Sequence, residues 1–104
     1  MEKTRNYKVE FVKVVIFKNG KTTNEVVKTK TIRGTFDEVM SAARGMVRPM
    51  FGGTHYDGDW HKCITLEDRR QIPRGFLLEY KIHYLDERRH LLQCDEFIYV
   101  IARC

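Results

Sequence analysis

The stretch TFDEVMSAARGMV, residues 35–47, decides the fold class because it has the periodicity of a helix. Thr35 and Glu38 stand three residues apart, as in a capping box, where each side chain bonds the other residue's backbone N–H. Pro49 is expected to end the helix. Apolar side chains recur at spacings of three and four and form one stripe: Phe36, Val39, Met40, Ala43 and Val47. The last turn carries two bases that suit the helix dipole, Arg44 and Arg48.

Before the helix, the chain has the composition of a long β-hairpin. The segment Tyr7–Lys18 is rich in β-branched and aromatic residues, Asn19-Gly20 is a strong turn signal, and Glu25–Arg33 supplies a second strand. The apolar positions of the first strand change phase part-way along. A β-bulge near Phe11 and Val12 would explain this change, and partial covering of both faces is the alternative.

After the helix, the pattern predicts a long irregular loop and then a second hairpin. Residues 50–75 carry turn signals, with a short strand as one option near Trp60–Leu66. The segment Phe76–Tyr84 alternates strictly between two faces, and Leu91–Ala102 returns after a polar connection. The predicted fold is therefore α+β: a four-stranded antiparallel sheet in ββαββ order, with one helix packed on one face.

Length and composition indicate a single domain over residues 1–104. Hydrophobic residues make up 42% of the chain and charged residues 32%, as in globular proteins. No apolar run approaches the roughly 20 residues that cross a membrane, and the N-terminus lacks the apolar core of a signal peptide. Three cysteines cannot all pair within one chain, which favours reduced thiols. We therefore expect a soluble cytoplasmic protein with no membrane partner.

The segment HYDGDWHKC, residues 55–63, concentrates side chains that bind metals. An extended strand could not converge them on one ion, because alternate residues lie about 6.6–6.8 Å apart. Neither zinc-finger spacing nor the calcium-loop pattern fits, so a polar turn is the favoured interpretation and a metal-dependent enzyme the alternative. The weak metal candidates are His55, Asp57, Asp59, His61 and Cys63.

Sequence motifs for catalysis are not present in this chain. The single serine, Ser41, lies within the helical segment and outside a G-x-S-x-G context, and no glycine-rich phosphate-binding loop occurs. Cysteine and histidine residues could form a nucleophile–base pair, but nothing in their spacing favours one. We therefore predict a protein that is not an enzyme and needs no cofactor.

Positive charge is concentrated in the first hairpin. Residues 1–34 carry nine bases and three acids, a net of +6, while the remaining 70 residues carry ten bases and eleven acids, a net of −1. Lysines on an open ribbon could contact nucleic-acid phosphates, whereas lysines on an edge strand also guard against aggregation. The nucleic-acid candidates are Lys8, Lys13, Lys18, Lys21, Lys28, Lys30 and Arg33, with Arg69, Arg70, Arg88 and Arg89 as auxiliary bases.

Two classes of function follow. The first is a protein-interaction module, such as a subunit, accessory factor or inhibitor, which binds a protein partner or a second copy of itself through a sheet edge. The second is a basic module that contacts DNA or RNA through the first hairpin. The first is ranked slightly above the second.

Overall fold

The computed structural model describes residues 3–51, 56–57, 60–84 and 94–104. Its elements in chain order are β1 (Arg5–Phe17), β2 (Thr22–Gly34), α1 (Phe36–Phe51), β3 (Tyr56–Asp57), β4 (Trp60–Ile72), β5 (Gly75–Tyr84) and β6 (Cys94–Arg103).

The five long strands form one antiparallel sheet in the order β2-β1-β6-β5-β4, and the two-residue β3 pairs with the start of β4. The prediction of a four-stranded ββαββ sheet is wrong, because β4 is a thirteen-residue strand in the region predicted as an irregular loop. The last strand, β6, inserts between the two hairpins and pairs with both β1 and β5. Strand β6 therefore joins the β1–β2 hairpin and the β4–β5 hairpin into one sheet.

The first hairpin turns through three residues, Lys18–Gly20, instead of the two-residue Asn19-Gly20 turn. Gly20 donates its N–H to the Phe17 carbonyl at 2.9 Å and has a φ of 90°, which glycine adopts without strain. The Asn19 side chain accepts the Lys21 N–H at 2.9 Å, which holds the loop, and β2 begins already at Thr22.

A bulge interrupts the pairing of β1 with β2 between Phe11 and Val12, where the sequence predicted one. Val12 pairs with Val26 and Phe11 with Lys28, so the extra residue is Val27, which belongs to β2 and not to β1. The pairing of β1 with β6 runs through this point without interruption. The alternation of β1 is thus continuous, and both of its faces carry apolar side chains.

The helix begins as predicted and ends later than predicted. Glu38 Oε1 accepts the Thr35 N–H at 2.9 Å and the Glu38 N–H donates to Thr35 Oγ1 at 3.2 Å, which completes the capping box. Pro49 lies inside the helix, which continues to Phe51. Burial of the Phe51 ring against the core stabilises this last turn, although proline removes one helical hydrogen bond.

The sequence indicated only an optional short strand near Trp60–Leu66, because the alternation of β4 is short. Ile64 is buried and Leu66 is half-buried, but the pairing with β5 then shifts by one residue, so that Glu67 is extra. The charged run that follows reads as a loop, although it pairs with β5 as far as Ile72. A tight turn joins the two strands, with Arg74 at a φ of 65°. The turn signal at Pro73 and Arg74, at the end of the region predicted as a loop, is therefore a hairpin turn.

The core lies between α1 and one side of the sheet, which we call the helix side; the opposite side is the outer face. The Phe36 and Phe76 rings meet edge to face with centroids 5.6 Å apart, which joins the start of the helix to β5. The buried apolar residues are Tyr7, Val9, Phe11, Val39, Ala43, Val47, Phe51, Ile64, Phe76, Leu78, Tyr80, Ile82, Ile98, Val100 and Ala102. In the described part of the chain, no helix is long and apolar enough to cross a membrane.

Candidate interaction surfaces

The register of the first hairpin divides its basic residues between the two sides of the sheet. Lys28 lies opposite the buried Phe11, and Lys30 lies opposite the buried Val9, so both lysines belong to the helix side. Lys8 lies opposite Thr31 and Arg103 on the outer face. The exposed cations of this hairpin therefore do not form one continuous face.

The other predicted phosphate contacts are also dispersed. Lys13 forms an ion pair with Glu96 at 3.4 Å, and Arg33 donates to Asn6 Oδ1 at 3.3 Å. Lys18 and Lys21 flank the hairpin turn, well away from the helix. Arg69 lies on the helix side, whereas Arg70 lies on the outer face and pairs with Asp68. Arg88 and Arg89 lie outside the described residues.

Most of the metal-ligand candidates also lie outside the region whose side chains are described. His55 and Asp59 fall outside the described residues, and for Asp57 and His61 only the strand pairing is available. Asp57 pairs with Trp60, and His61 pairs with Tyr56, so these two candidates do not pair with each other. Cys63 is half-buried in β4 opposite His83. The described side chains contain no cluster of three metal-binding groups.

A small polar network lies on the outer face beside Cys63. Thr65 Oγ1 donates to Glu67 Oε1 at 2.8 Å and lies 3.0 Å from His83 Nε2, which is itself 3.5 Å from Glu67 Oε1. The Thr65 hydrogen bond, helped by His83, lowers the pKa of Glu67. Both contacts of the imidazole use Nε2, whereas a nucleophile–base–acid relay needs one partner on each ring nitrogen. This arrangement therefore does not match an acyl-transfer site.

Exposed apolar residues are concentrated in the distal half of the first hairpin, residues 12–28. Within the described ranges, strand β2 pairs only with β1, and all its side chains from Thr22 to Thr31 are exposed. In its middle, Val26 and Val27 are 55% and 43% exposed, and Ile16 and Phe17 on β1 are each 38% exposed. These four are the exposed large apolar residues of the described chain. An exposed edge with apolar side chains is a template for pairing with another strand.

The bulge at Val27 gives this edge an unusual symmetry. Glu25 lies opposite Lys13 and Lys28 lies opposite Phe11, so Glu25 and Lys28 share the helix side although they are three residues apart. In a regular strand, residues three apart would point to opposite sides. Because of the extra residue, Glu25 and Lys28, which are equally distant from the Val26–Val27 bond, point to the same side of the sheet and carry opposite charges.

The outer face continues the apolar surface of the edge into the sheet. Val26 lies opposite Val12, which lies opposite Tyr99, and Val14 lies opposite Phe97. The Phe97 and Tyr99 rings have centroids 6.4 Å apart, and Lys81 Nζ is 5.8 Å from the Phe97 centroid. Burial, together with a hydrogen bond to Glu79, raises the pKa of Tyr99. No described element packs against these half-buried side chains.

Comparisons with protein-family models, curated proteins and solved structures found no match to this chain. The function is therefore argued from its own residues. The sequence pattern indicated an edge strand with lysines, but it did not reveal the symmetry of that edge. That symmetry depends on the position of the extra residue, which only the register with β1 defines.

Proposed function

We propose that this chain is a protein-interaction module whose binding element is the free edge of β2. The observation that carries the proposal is the location of the exposed large apolar residues, all of which lie within Ile16–Val27 in the described chain. Burying such side chains removes apolar surface from water, and an added strand would satisfy the backbone groups of the edge. A polar solvated hairpin would need none of these apolar residues.

The partner that fits this edge is a second copy of the chain. Antiparallel pairing about a twofold axis at the Val26–Val27 bond places Glu25 opposite the partner's Lys28. The same register places Val26 opposite the partner's Val27. Each contact then occurs twice, as isologous dimers require. The remaining pairs are polar: Asn24 with the partner's Thr29, Thr23 with the partner's Lys30, and Thr22 with the partner's Thr31.

The faces of these residues agree with that register. Glu25 and Lys28 both lie on the helix side, so the two ion pairs form on one side of the joined sheet. Cross-strand pairs contribute about 0.2–1 kcal/mol each, and ten residues per strand form a small interface. We therefore expect a dimer that dissociates on dilution.

The same residues disfavour pairing of the edge in other registers. The lysines and the bulge are devices that protect an edge from indiscriminate pairing. Any register that places Lys28 opposite the partner's Lys28 or Lys30 juxtaposes like charges, which is destabilising. The edge is thus disfavoured in those registers and complementary in the one that pairs Glu25 with the partner's Lys28.

Sedimentation equilibrium over a range of concentrations tests this proposal. Glu25→Lys and Lys28→Glu should each weaken dimerisation by about tenfold or more, because each places like charges opposite one another twice. The double variant restores opposite charges and should regain most of the affinity. Glu25→Lys with Lys30→Glu is the matched control, since Lys30 lies opposite the partner's Thr23, and it should recover much less. A monomer at every concentration would exclude the second copy as the occupant.

Nucleic-acid binding is a second candidate function, favoured by the two neighbouring aromatic rings on the outer face. Phe97 and Tyr99 could stack on bases of a single strand, with Lys81 beside a phosphate. Acidic neighbours, including Glu79 and Asp68, make this face less suited to phosphates than the aromatic pair alone suggests. A titration with single-stranded DNA at two salt concentrations tests it, and equal binding by Phe97→Ala would exclude stacking.

A further inference from the structure

A cleft of about 580 Å³ separates α1 from the β4 edge of the sheet on the helix side. Its size lies within the range of about 300–1,000 Å³ that is typical of small-molecule sites. Apolar side chains from both of these elements contribute to its lining: Met40 and Val47 from the helix, and Ile64 and Leu66 from β4. The cleft is separate from the proposed binding edge at β2, because β2 and β4 lie at opposite edges of the sheet of long strands.

Three arginines line this cleft. Arg44 and Arg48 come from one stripe of the helix, and Arg69 comes from β4. The ion pairs of the described chain involve Lys13, Arg70 and His83, so none of the three cleft arginines is in an ion pair there. Among the described residues, Asp37 is the only acid in the lining, which leaves a formal excess of two positive charges.

Hydroxyl groups add further donors to the same wall. Tyr80 and Ser41 both line the cleft. Burial raises the pKa of Tyr80, while Arg44 and Arg48 act in the opposite direction. The phenol therefore stays protonated at neutral pH and is available as a donor to an anion.

Gly45 keeps the cleft open. It lies in the interior of α1, where glycine is less favourable than alanine. A Cβ at this position would meet no atom within 4 Å, so packing gives no reason for glycine here. The residue lines the cleft between Arg44 and the Val47–Arg48 turn, where a side chain would occupy the space of a ligand.

We propose that this cleft binds a phosphate monoester attached to an apolar group. A phosphate monoester carries close to two negative charges at neutral pH, which matches the excess of the lining, whereas a carboxylate carries one. Guanidinium groups bind phosphate oxygens through paired hydrogen bonds. The apolar floor would contact the group that carries the phosphate, so the phosphate ion alone would bind more weakly.

Calorimetric titration with phenyl phosphate, benzoate and inorganic phosphate tests this proposal in a buffer free of phosphate. Phenyl phosphate should bind with a stoichiometry of one and at least about tenfold more tightly than either benzoate or inorganic phosphate. Arg44→Gln and Arg48→Gln should each weaken its binding by about tenfold or more, because each removes a charge-assisted hydrogen bond. Gly45→Leu should weaken it similarly without changing the charge.

Arg103→Gln is the matched control, because it removes one positive charge from an exposed position on the outer face. Its affinity for phenyl phosphate should stay within about twofold of that of the wild type. Arg44 and Arg48 are exposed, and circular dichroism should confirm that their variants remain folded. Equal loss in Arg103→Gln and Arg44→Gln, or unchanged binding in Gly45→Leu, would overturn the proposal. So would equal affinity for phenyl phosphate and inorganic phosphate.

Discussion

Phe11 and Phe17 lie on the same strand and the same side of the sheet, yet their environments are opposite. Phe11 is fully buried beneath the helix, whereas Phe17 is 38% exposed near the hairpin turn. The helix covers the proximal half of the first hairpin and leaves the distal half bare. Phe11 therefore belongs to the region that stabilises the fold, and Phe17 belongs to the region whose apolar side chains are available for binding.

The largest effect should come from testing this pair directly. Phe11→Ala should reduce the free energy of unfolding by about 3–5 kcal/mol, because it removes a packed ring and leaves a cavity. Phe17→Ala should cost less than about 1 kcal/mol, since part of its ring is already in water. Urea denaturation of both variants at low protein concentration measures the difference. Similar losses would mean that the distal half contributes to the core.

The next largest effect concerns Gly75, at the start of β5. A Cβ at this position would overlap the carbonyl oxygen of Ala102 in β6, and backbone cannot move aside cheaply. Gly75→Ala should therefore cost about 2–3 kcal/mol. Thermal unfolding followed by circular dichroism measures the loss. An unchanged melting temperature would show that β6 can move away from β5 at this end of the sheet.

A smaller loss is expected at the start of the helix that separates the two regions. Thr35→Ala removes the hydroxyl that accepts the Glu38 N–H and should cost about 1 kcal/mol. Thr4→Ala, at an exposed position outside the strands, is the control and should change stability by less than about half as much. Urea denaturation compares the two, and equal losses would argue against the capping box.

Features that depend on neighbouring residues were predicted from the sequence, whereas features that depend on the pairing of distant strands were not. The capping box and the alternation of β5 are local signals, so the helix start and the second hairpin were found. Of strand β4, only a short segment near Trp60–Leu66 was considered, because the extra residue Glu67 breaks its alternation and a charged run follows. The apolar stripe of the helix was recognised for the core, but its arginines were explained by the dipole alone. Their relation to Arg69 depends on β4 being a strand, and so does the cleft.

Gly45→Ala is expected to give a gain in stability. The added methyl group meets no neighbour within 4 Å and improves helix propensity, so the free energy of unfolding should rise by about 0.5–1 kcal/mol. The contrast with Gly75→Ala separates a glycine that packing requires from one that it does not. A loss of stability in Gly45→Ala, measured by urea denaturation, would mean that the helix is strained at this point.

The smallest expected effect is a change in acid sensitivity at the helix start. Hydrogen bonds with the backbone and side chain of Thr35 lower the pKa of Glu38 from its ordinary value of 4.5. A lowered pKa in the folded state contributes stability that is complete above about pH 4.5 and is lost as the pH falls through the folded value. Glu38→Gln can still accept the Thr35 N–H but does not titrate. The stability difference between wild type and Glu38→Gln should therefore be constant from neutral pH to about pH 5 and shrink below it. If urea denaturation finds the same difference in the free energy of unfolding at every pH, the carboxylate charge does not stabilise the cap. The start of the helix would then be stabilised by the hydrogen bonds of the cap without a contribution from charge.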